Sequence, residues 1–187
     1  MPSQASKNDI RRDALTRRDA IPADVRANSS LSICRAVSED DLFLDSNGIH
    51  VYLPIGSEVD IRPLIELAWE MGKEVGMMRV MDDGGIAQYS ITPSTRYNVT
   101  KLGIMEPLDA EPFDMDICDL VIVPVVAADE YCNRLGYGKG YYDQFLAHHP
   151  RPTLGVAFEE QMVAELPVDD LDIQLDGIYT ERRFIEA

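Results

Sequence analysis

The stretch Leu120 to Ala127 (LVIVPVVA) contains no polar or charged side chain, and this run constrains the fold more than any other feature of the chain. A strand with one face in water alternates apolar and polar residues. A continuous apolar run implies burial on both faces, as in a parallel sheet covered by helices. Thr153 to Phe158 (TLGVAF) reads as a second buried strand and Gly177 to Thr180 as a last one. Earlier in the chain, His50 to Ile55 (HVYLPI) suits a strand broken by Pro54 and Gly56, Lys73 to Met81 a further strand, and Ile86 to Ile91 a shorter one after the turn Asp82 to Gly85.

Helical patterns separate these runs. Lys7 to Ala20 lacks Gly and Pro and carries Ile10, Ala14 and Leu15 at helical spacing, which predicts a basic amphipathic helix. Pro22 opens a second helix, Ala23 to Val37, and Ile61 to Met71 follows with Pro63 in its first turn and Gly72 at its end. Tyr141 to His148 and the short stretch Glu159 to Glu165 complete the set, with Trp69 expected in the core and Thr92 to Asp116 expected to be mostly loop. Strands alternating with helices indicate an α/β domain with a mainly parallel sheet.

With 187 residues, 45% of them hydrophobic, the chain supports one full core, so a single domain over 1–187 is the expectation. No run reaches the roughly 20 apolar residues of a membrane helix, and the start MPSQASKNDIRRDALTRRD is polar where a secretory signal is apolar. A cytoplasmic protein that engages no membrane is expected. The formal charge of −16 argues against a nucleic-acid partner. Positive residues nevertheless cluster: Lys7, Arg11, Arg12, Arg17 and Arg18 near the start, and Arg134 and Lys139 inside a glycine-rich segment. Cys34, Cys118 and Cys132 are odd in number and lack CxxC spacing, so reduced thiols are expected. His50, His148 and His149 lack HExxH spacing and are expected at the surface.

The most informative segment for chemistry is Arg134 to Asp143, RLGYGKGYYD, between a predicted strand and a predicted helix. Gly136, Gly138 and Gly140 let successive N–H groups converge on phosphate oxygens, and the helix start adds its positive end. Arg134 and Lys139 supply full charges suited to a transferring phosphoryl group. The spacing GxGxG is neither the P-loop nor the dinucleotide fingerprint. Taken alone, the glycines equally fit a flexible turn without a ligand.

With its flanks, this segment resembles the signature of the 5-formyltetrahydrofolate cyclo-ligase family, a strand ending in Pro followed by an RLGxGxGYYD loop. Lys7-Asn8-Asp9-Ile10-Arg11 is similar to that family's N-terminal Lys-x-x-Leu-Arg helix, and Tyr52 to Asp60 (YLPIGSEVD) to its strand and acidic turn. Gly103 to Pro107 (GIMEP) and Val156 to Thr180, with Ala157, Phe158, Gln161, Leu166, Pro167, Asp172 and Asp176, resemble later blocks in the same order. Three positions depart from the pattern. Ala128 stands where the family has Phe, Cys132 where it has Gly, and Arg79 or Val80 where it tends to have Pro.

The resemblance implies a fold of the NagB, ribose-5-phosphate isomerase and CoA transferase type, a three-layer α/β sandwich with a mainly parallel sheet. It also implies an ATP- and magnesium-dependent ligase acting on a small-molecule substrate, and a monomer. The formyl oxygen of 5-formyltetrahydrofolate would attack the γ-phosphate of ATP to give an N5 iminium phosphate. N10 would then attack that carbon, and phosphate would leave to give 5,10-methenyltetrahydrofolate. Carried over by motif, ATP contacts fall on Lys7, Arg11, Arg134, Leu135, Gly136, Tyr137, Gly138, Lys139, Gly140, Tyr141 and Tyr142. Lys139 and Arg134 take catalytic roles, folate contacts fall on Leu53, Glu58 and Tyr137 to Tyr141, and magnesium ligands on Asp143 and Asp172.

Plainer readings exist for several of these residues. Lys7 and Arg11 also fit a solvated helix face, and Glu58 the first turn of the following helix. Asp143 also fits an ion pair with a nearby Arg, and Asp172 a solvated acidic loop. A non-catalytic nucleotide- or folate-binding module, or a related enzyme acting on another substrate, would share the same loop.

Overall fold

At the centre of the computed structural model, which describes residues 6–81, 83–100 and 103–187, the strand β1 (Gly48–Val51) lies buried along its whole length. It pairs in parallel with β2 (Glu74–Val80) on one side and with β6 (Cys118–Pro124) on the other. β6 pairs in parallel with β9 (Thr153–Val156), and β9 with β10 (Gly177–Tyr179). Antiparallel strands close both edges, β3 (Ile86–Ser90) on β2 and β11 (Phe184–Glu186) on β10. The seven-stranded order is β11-β10-β9-β6-β1-β2-β3.

Two hydrophobic clusters lie on the two sides of this sheet. On one side Ile49, Val51, Val75, Leu120, Ile122 and Leu154 meet α2 (Ala23–Ser38), the single turn α3 (Asp41–Leu44) and α4 (Arg62–Glu70) through Ile33, Val37, Phe43, Leu64 and Ile65. On the other, Val121, Val123 and Ile178 meet Phe145 and Leu146 of α5 (Tyr141–His148), together with Phe113 and Leu175 from loops. The architecture is therefore the three-layer α/β sandwich with a mainly parallel sheet. Adjacent residues of β6 go to opposite sides, which is why its sequence is apolar throughout.

α1 (Lys7–Ala20) starts where Ser6 accepts the Asp9 N–H, with Asp9 in its first turn and Arg17 and Arg18 in its last, all favourable to the helix dipole. Its apolar residues Ile10, Ala14 and Leu15 pack on Val126, Ala127, Leu135 and Leu166, beyond the end of β6.

Several expectations are corrected. β1 starts at Gly48 and ends at Val51, so Tyr52 to Ile55 leave the sheet early. The apolar run breaks after Pro124, and Ala127–Ala128 forms its own short strand β7, paired with β8 (Arg134–Leu135). Within Thr92 to Asp116, β4 (Arg96–Val99) and β5 (Met105–Leu108) form an antiparallel ribbon whose mixed composition gives little periodicity. Glu159 to Glu165 is not a helix beyond one 3-10 turn, Glu159–Gln161. The Gln161 side chain instead spans to the carbonyls of Val125 and Val126 at 2.6 and 3.0 Å. Finally, His50 is not a surface residue. It sits on β1 at 0% exposure, because β1 is an inner strand, paired on both edges and covered on both faces.

Candidate functional site

Between β1 and β6 the winding of the chain reverses. β1 leads through α4 to β2 on one side, β6 leads through α5 to β9 on the other, and the two helices cover opposite faces. Such a switch point opens a crevice beyond the carboxyl ends of the two strands, the place where open α/β sheets bind ligands. The segments leaving those ends run from 52 to 60 and from 125 to 140. Topology therefore brings together two stretches that sequence reading placed in one site.

The second stretch is shaped by Asp129, which is fully buried. Its carboxylate accepts the N–H groups of Tyr131 and Asn133, both at 3.0 Å, the Asn133 amide at 3.1 Å and the Leu166 N–H at 2.9 Å. This tight turn holds Cys132 at φ 56, the left-handed region that favours glycine. Arg134 and Leu135 then pair back on β7 and direct the chain into the glycine loop. At Gly138, φ is +86, and a Cβ there would stand 3.2 to 3.4 Å from the Arg11 guanidinium. Gly140, also left-handed, precedes α5, whose first turn has no side-chain cap. Its leading N–H groups are thus available to an anion. Lys139 is exposed and, among the described residues, makes no hydrogen bond or ion pair.

α1 lies against this loop. Arg11 donates from Nε to the Gly136 carbonyl at 2.6 Å and from Nη1 to Asn8 at 2.6 Å. Lys7 Nζ contacts Asp169 at 2.7 Å and makes a shorter contact with Asp172. The face carrying Lys7 and Arg11 is therefore engaged, not merely solvated. Burial lowers the Lys7 ammonium, but its two carboxylates outweigh that and hold it above the ordinary lysine value. Burial likewise raises Asp172, yet Lys7 and the Asp169 N–H bring it below the usual carboxylate range.

Arg134 and Asp143 form the second charged pair. The Arg134 side chain is only 3% exposed and donates from Nη2 to Asp143 Oδ1 at 2.9 Å. The same oxygen accepts the N–H of Ile173 at 3.2 Å, so the two candidate metal carboxylates, Asp143 and Asp172, are tied to neighbouring residues. Each is already paired with a cation, and among the described residues no three acidic, His or Cys side chains gather into a metal site. Two carboxylates suit magnesium, which takes substrate phosphates and water for the rest of its octahedron.

Glu58 occupies the other part of the crevice. It is 9% exposed and accepts the Ile55 N–H at 2.8 Å. α4 begins only at Arg62, so Glu58 belongs to a turn and not to the first helical turn. Burial raises its carboxyl above the ordinary value, opposed by the Ile55 N–H and the charge of Arg18. Tyr52, Tyr137 and Tyr142 share this region. Burial raises all three hydroxyls, and the Glu58 charge adds to the rise. Leu53 is partly buried against the first core cluster.

Sequence reading missed Arg18. It is 3% exposed and joins the two halves, donating from Nε to Ser57 at 2.9 Å and from Nη2 to the Tyr137 hydroxyl at 3.0 Å. The signal was present: Lys7, Arg11 and Arg18 recur at intervals of four and seven, along one face of α1.

Residues 3–181 match the family described as the 5-formyltetrahydrofolate cyclo-ligase family. A 5-formyltetrahydrofolate cyclo-ligase of Escherichia coli K12 is 34% identical over 145 residues, covering 74% of this chain and 80% of its own. One of Mus musculus is 27% identical over 195 residues, covering 95% and 94%. The solution structure of an Aquifex aeolicus 5,10-methenyltetrahydrofolate synthetase superposes with a TM-score of 0.85 at 31% identity, over 96% of this chain and 92% of that one. A Mycoplasma pneumoniae synthetase shares the fold, with a TM-score of 0.76 at 23% identity, over 95% and 99%.

Proposed function

The chain belongs to the 5-formyltetrahydrofolate cyclo-ligase family, and from that premise we propose how its own residues carry out the ATP-dependent closure of 5-formyltetrahydrofolate to 5,10-methenyltetrahydrofolate. The observation that carries the reading is the meeting, at one switch point, of a cationic glycine loop with the buried Glu58 carboxylate and its neighbouring tyrosines. The first suits a polyphosphate and the second a flat heterocycle bearing N–H donors.

In this reading the triphosphate lies along the loop from Arg134 to Tyr142, against the free N–H groups of α5, with Lys7 and Arg11 reaching from α1. Lys139, exposed and uncommitted, turns to the transferring phosphoryl group. Arg134 is held by Asp143 in a fixed orientation and neutralises charge without having to be ordered at the moment of reaction. The ring lies toward Leu53 and Glu58, where the carboxylate accepts from its N–H groups and Tyr137 or Tyr141 lines its face. The formyl oxygen forms a bond to the γ-phosphorus as the bond to the β-phosphate oxygen breaks, releasing ADP. N10 then bonds to the formyl carbon, loses its proton, and inorganic phosphate departs with the original oxygen. Positioning the two substrates in line supplies most of the acceleration.

The two carboxylates fit magnesium: Asp143 and Asp172 would hold it beside the glycine loop. When bound it neutralises phosphate charge. The proposal further takes the protein to act as a single cyclo-ligase domain and a monomer, in the cytoplasm. The test is the absorbance of the methenyl product after mixing protein, 5-formyltetrahydrofolate, magnesium and ATP, with ATP omitted in the control. An ATP-dependent rise is expected for the wild type. Lys139→Ala should cut turnover by orders of magnitude with an unchanged melting curve. A flat wild-type trace despite measurable ATP binding would reassign the protein to another substrate.

A further inference from the structure

Arg18 is the residue whose chemistry the assigned roles leave unused. Its Nε and Nη2 are taken by Ser57 and Tyr137, but its Nη1 is buried and has no hydrogen-bond partner. A guanidinium N–H withdrawn from water without an acceptor is unfavourable, and a fold keeps one only where something else compensates. Three other buried side-chain atoms lack partners among the described residues: His50 Nδ1, Arg79 Nε and Arg134 Nε. His50 lies in the sheet core and Arg79 on β2, while Arg134 is already part of the phosphate loop. Arg18 alone stands in the acidic and aromatic part of the crevice.

Its surroundings indicate what it awaits. The guanidinium lies 5.9 Å over the Tyr137 ring and its charge bears on Glu58 and Tyr52. Glu58 can only accept hydrogen bonds when ionised, and Arg18 can only donate. Both reach Tyr137, Arg18 through its Nη2 bond to the hydroxyl and Glu58 through its own side chain, so they offer an acceptor and a donor suited to a ring edge that presents N–H beside a carbonyl oxygen.

We propose that Arg18 is a specificity-determining residue of the folate subsite, its Nη1 donating to the ring carbonyl while Glu58 accepts from the adjacent N–H. This rests on the function proposed above and extends it to a residue of α1. The pterin of 5-formyltetrahydrofolate has such an amide edge, so Arg18 and Glu58 read it together, and Tyr137 holds the guanidinium flat.

The test measures binding of 5-formyltetrahydrofolate and, separately, of ATP to the wild type, Arg18→Gln, Arg18→Lys and Tyr137→Phe, by calorimetry, with a melting curve for each. Arg18→Gln should weaken folate binding about 10- to 100-fold and leave ATP binding within about twofold. Arg18→Lys keeps the charge but loses the planar fork, so it should restore only part of the affinity. If Arg18→Gln does not fold, the Lys variant decides by the same split. Tyr137→Phe removes the Nη2 acceptor and leaves Nη1, so its loss should be the smaller. Equal losses for folate and ATP, or full affinity for folate in a folded Arg18 variant, would overturn the assignment and leave Arg18 as a strut between α1 and the two loops. Wild-type protein that binds ATP but no folate would instead overturn the proposed substrate.

Discussion

Acidification should destabilise this protein in part through the buried His50. Its ring lies 4.5 Å from that of Phe145 and 6.4 Å from that of Phe113, with Nε2 2.7 Å from Gln88 Oε1 and no exposure to solvent. Burial, opposed by the Gln88 bond, lowers its pKa from 6.5 to about 4. In the unfolded chain the imidazole takes up its proton near pH 6.5, whereas the folded protein refuses it until about pH 4. Between those values the unfolded state binds more protons, so stability is lost as the pH falls, by about 1.4 kcal/mol per unit. Over the whole window the loss is about 3 kcal/mol, a large fraction of a typical domain's stability. Above pH 6.5 the contribution is constant.

Carboxylates also destabilise the fold at low pH, so the assay is a difference. Urea unfolding of the wild type and of His50→Gln, with equal m-values, is compared at pH 7 and pH 5. The variant is the less stable at pH 7, having lost the ring's packing against Phe145. Between pH 7 and pH 5 the wild type should lose about 2 kcal/mol more than the variant. A difference independent of pH would refute the reasoning, because it would mean that the buried imidazole accepts a proton as easily as a free one.

Two further outcomes follow from the site and the core. Asp143→Asn removes the anion paired with the nearly buried Arg134, so unfolding should become easier by about 2 kcal/mol and the magnesium concentration needed for turnover should rise. An unchanged metal dependence would remove Asp143 as a ligand. Burial pushes the thiols of Cys34, Cys118 and Cys132 up to about 11, and all three are buried and unpaired, so a thiol reagent at pH 8 should label none of them in the folded protein and all of them in denaturant. Rapid native labelling of Cys132 would show that its turn opens.

The glycine loop and the basic helix were legible because their chemistry is local. RLGYGKGYYD places three glycines and two cations within ten residues, and α1 announces its face by spacing alone. Arg18 lay on that same face by its spacing, whereas Arg17 turns aside and its Nε donates to the Glu160 carbonyl; that Ser57 and Tyr137 receive Arg18 was not legible locally. The position of Cys132 is a case between. Its sequence shows an unusual residue, and only the backbone shows that the site demands a left-handed conformation there.

His50 marks the boundary most clearly. Beside Gly48 and Ile49 its own character is polar, and its place inside the sheet comes from β2 and β6 on either side, whose partner residues Gly76 and Val121 lie 26 and 71 positions further along the chain. The sequence by itself determined a parallel sheet, through apolar runs whose side chains must leave water on both faces, and a glycine-rich turn before α5, where Gly138 and Gly140 take left-handed dihedrals that favour glycine. The tertiary structure decided which strand is central, that Lys7 and Arg134 hold the two candidate metal carboxylates, and that Arg18 joins the glycine loop at Tyr137 to the turn at Ser57. Those are facts of long-range packing and electrostatics. They arise only when segments more than a hundred residues apart, as Arg18 and Tyr137 are, are brought within hydrogen-bonding distance.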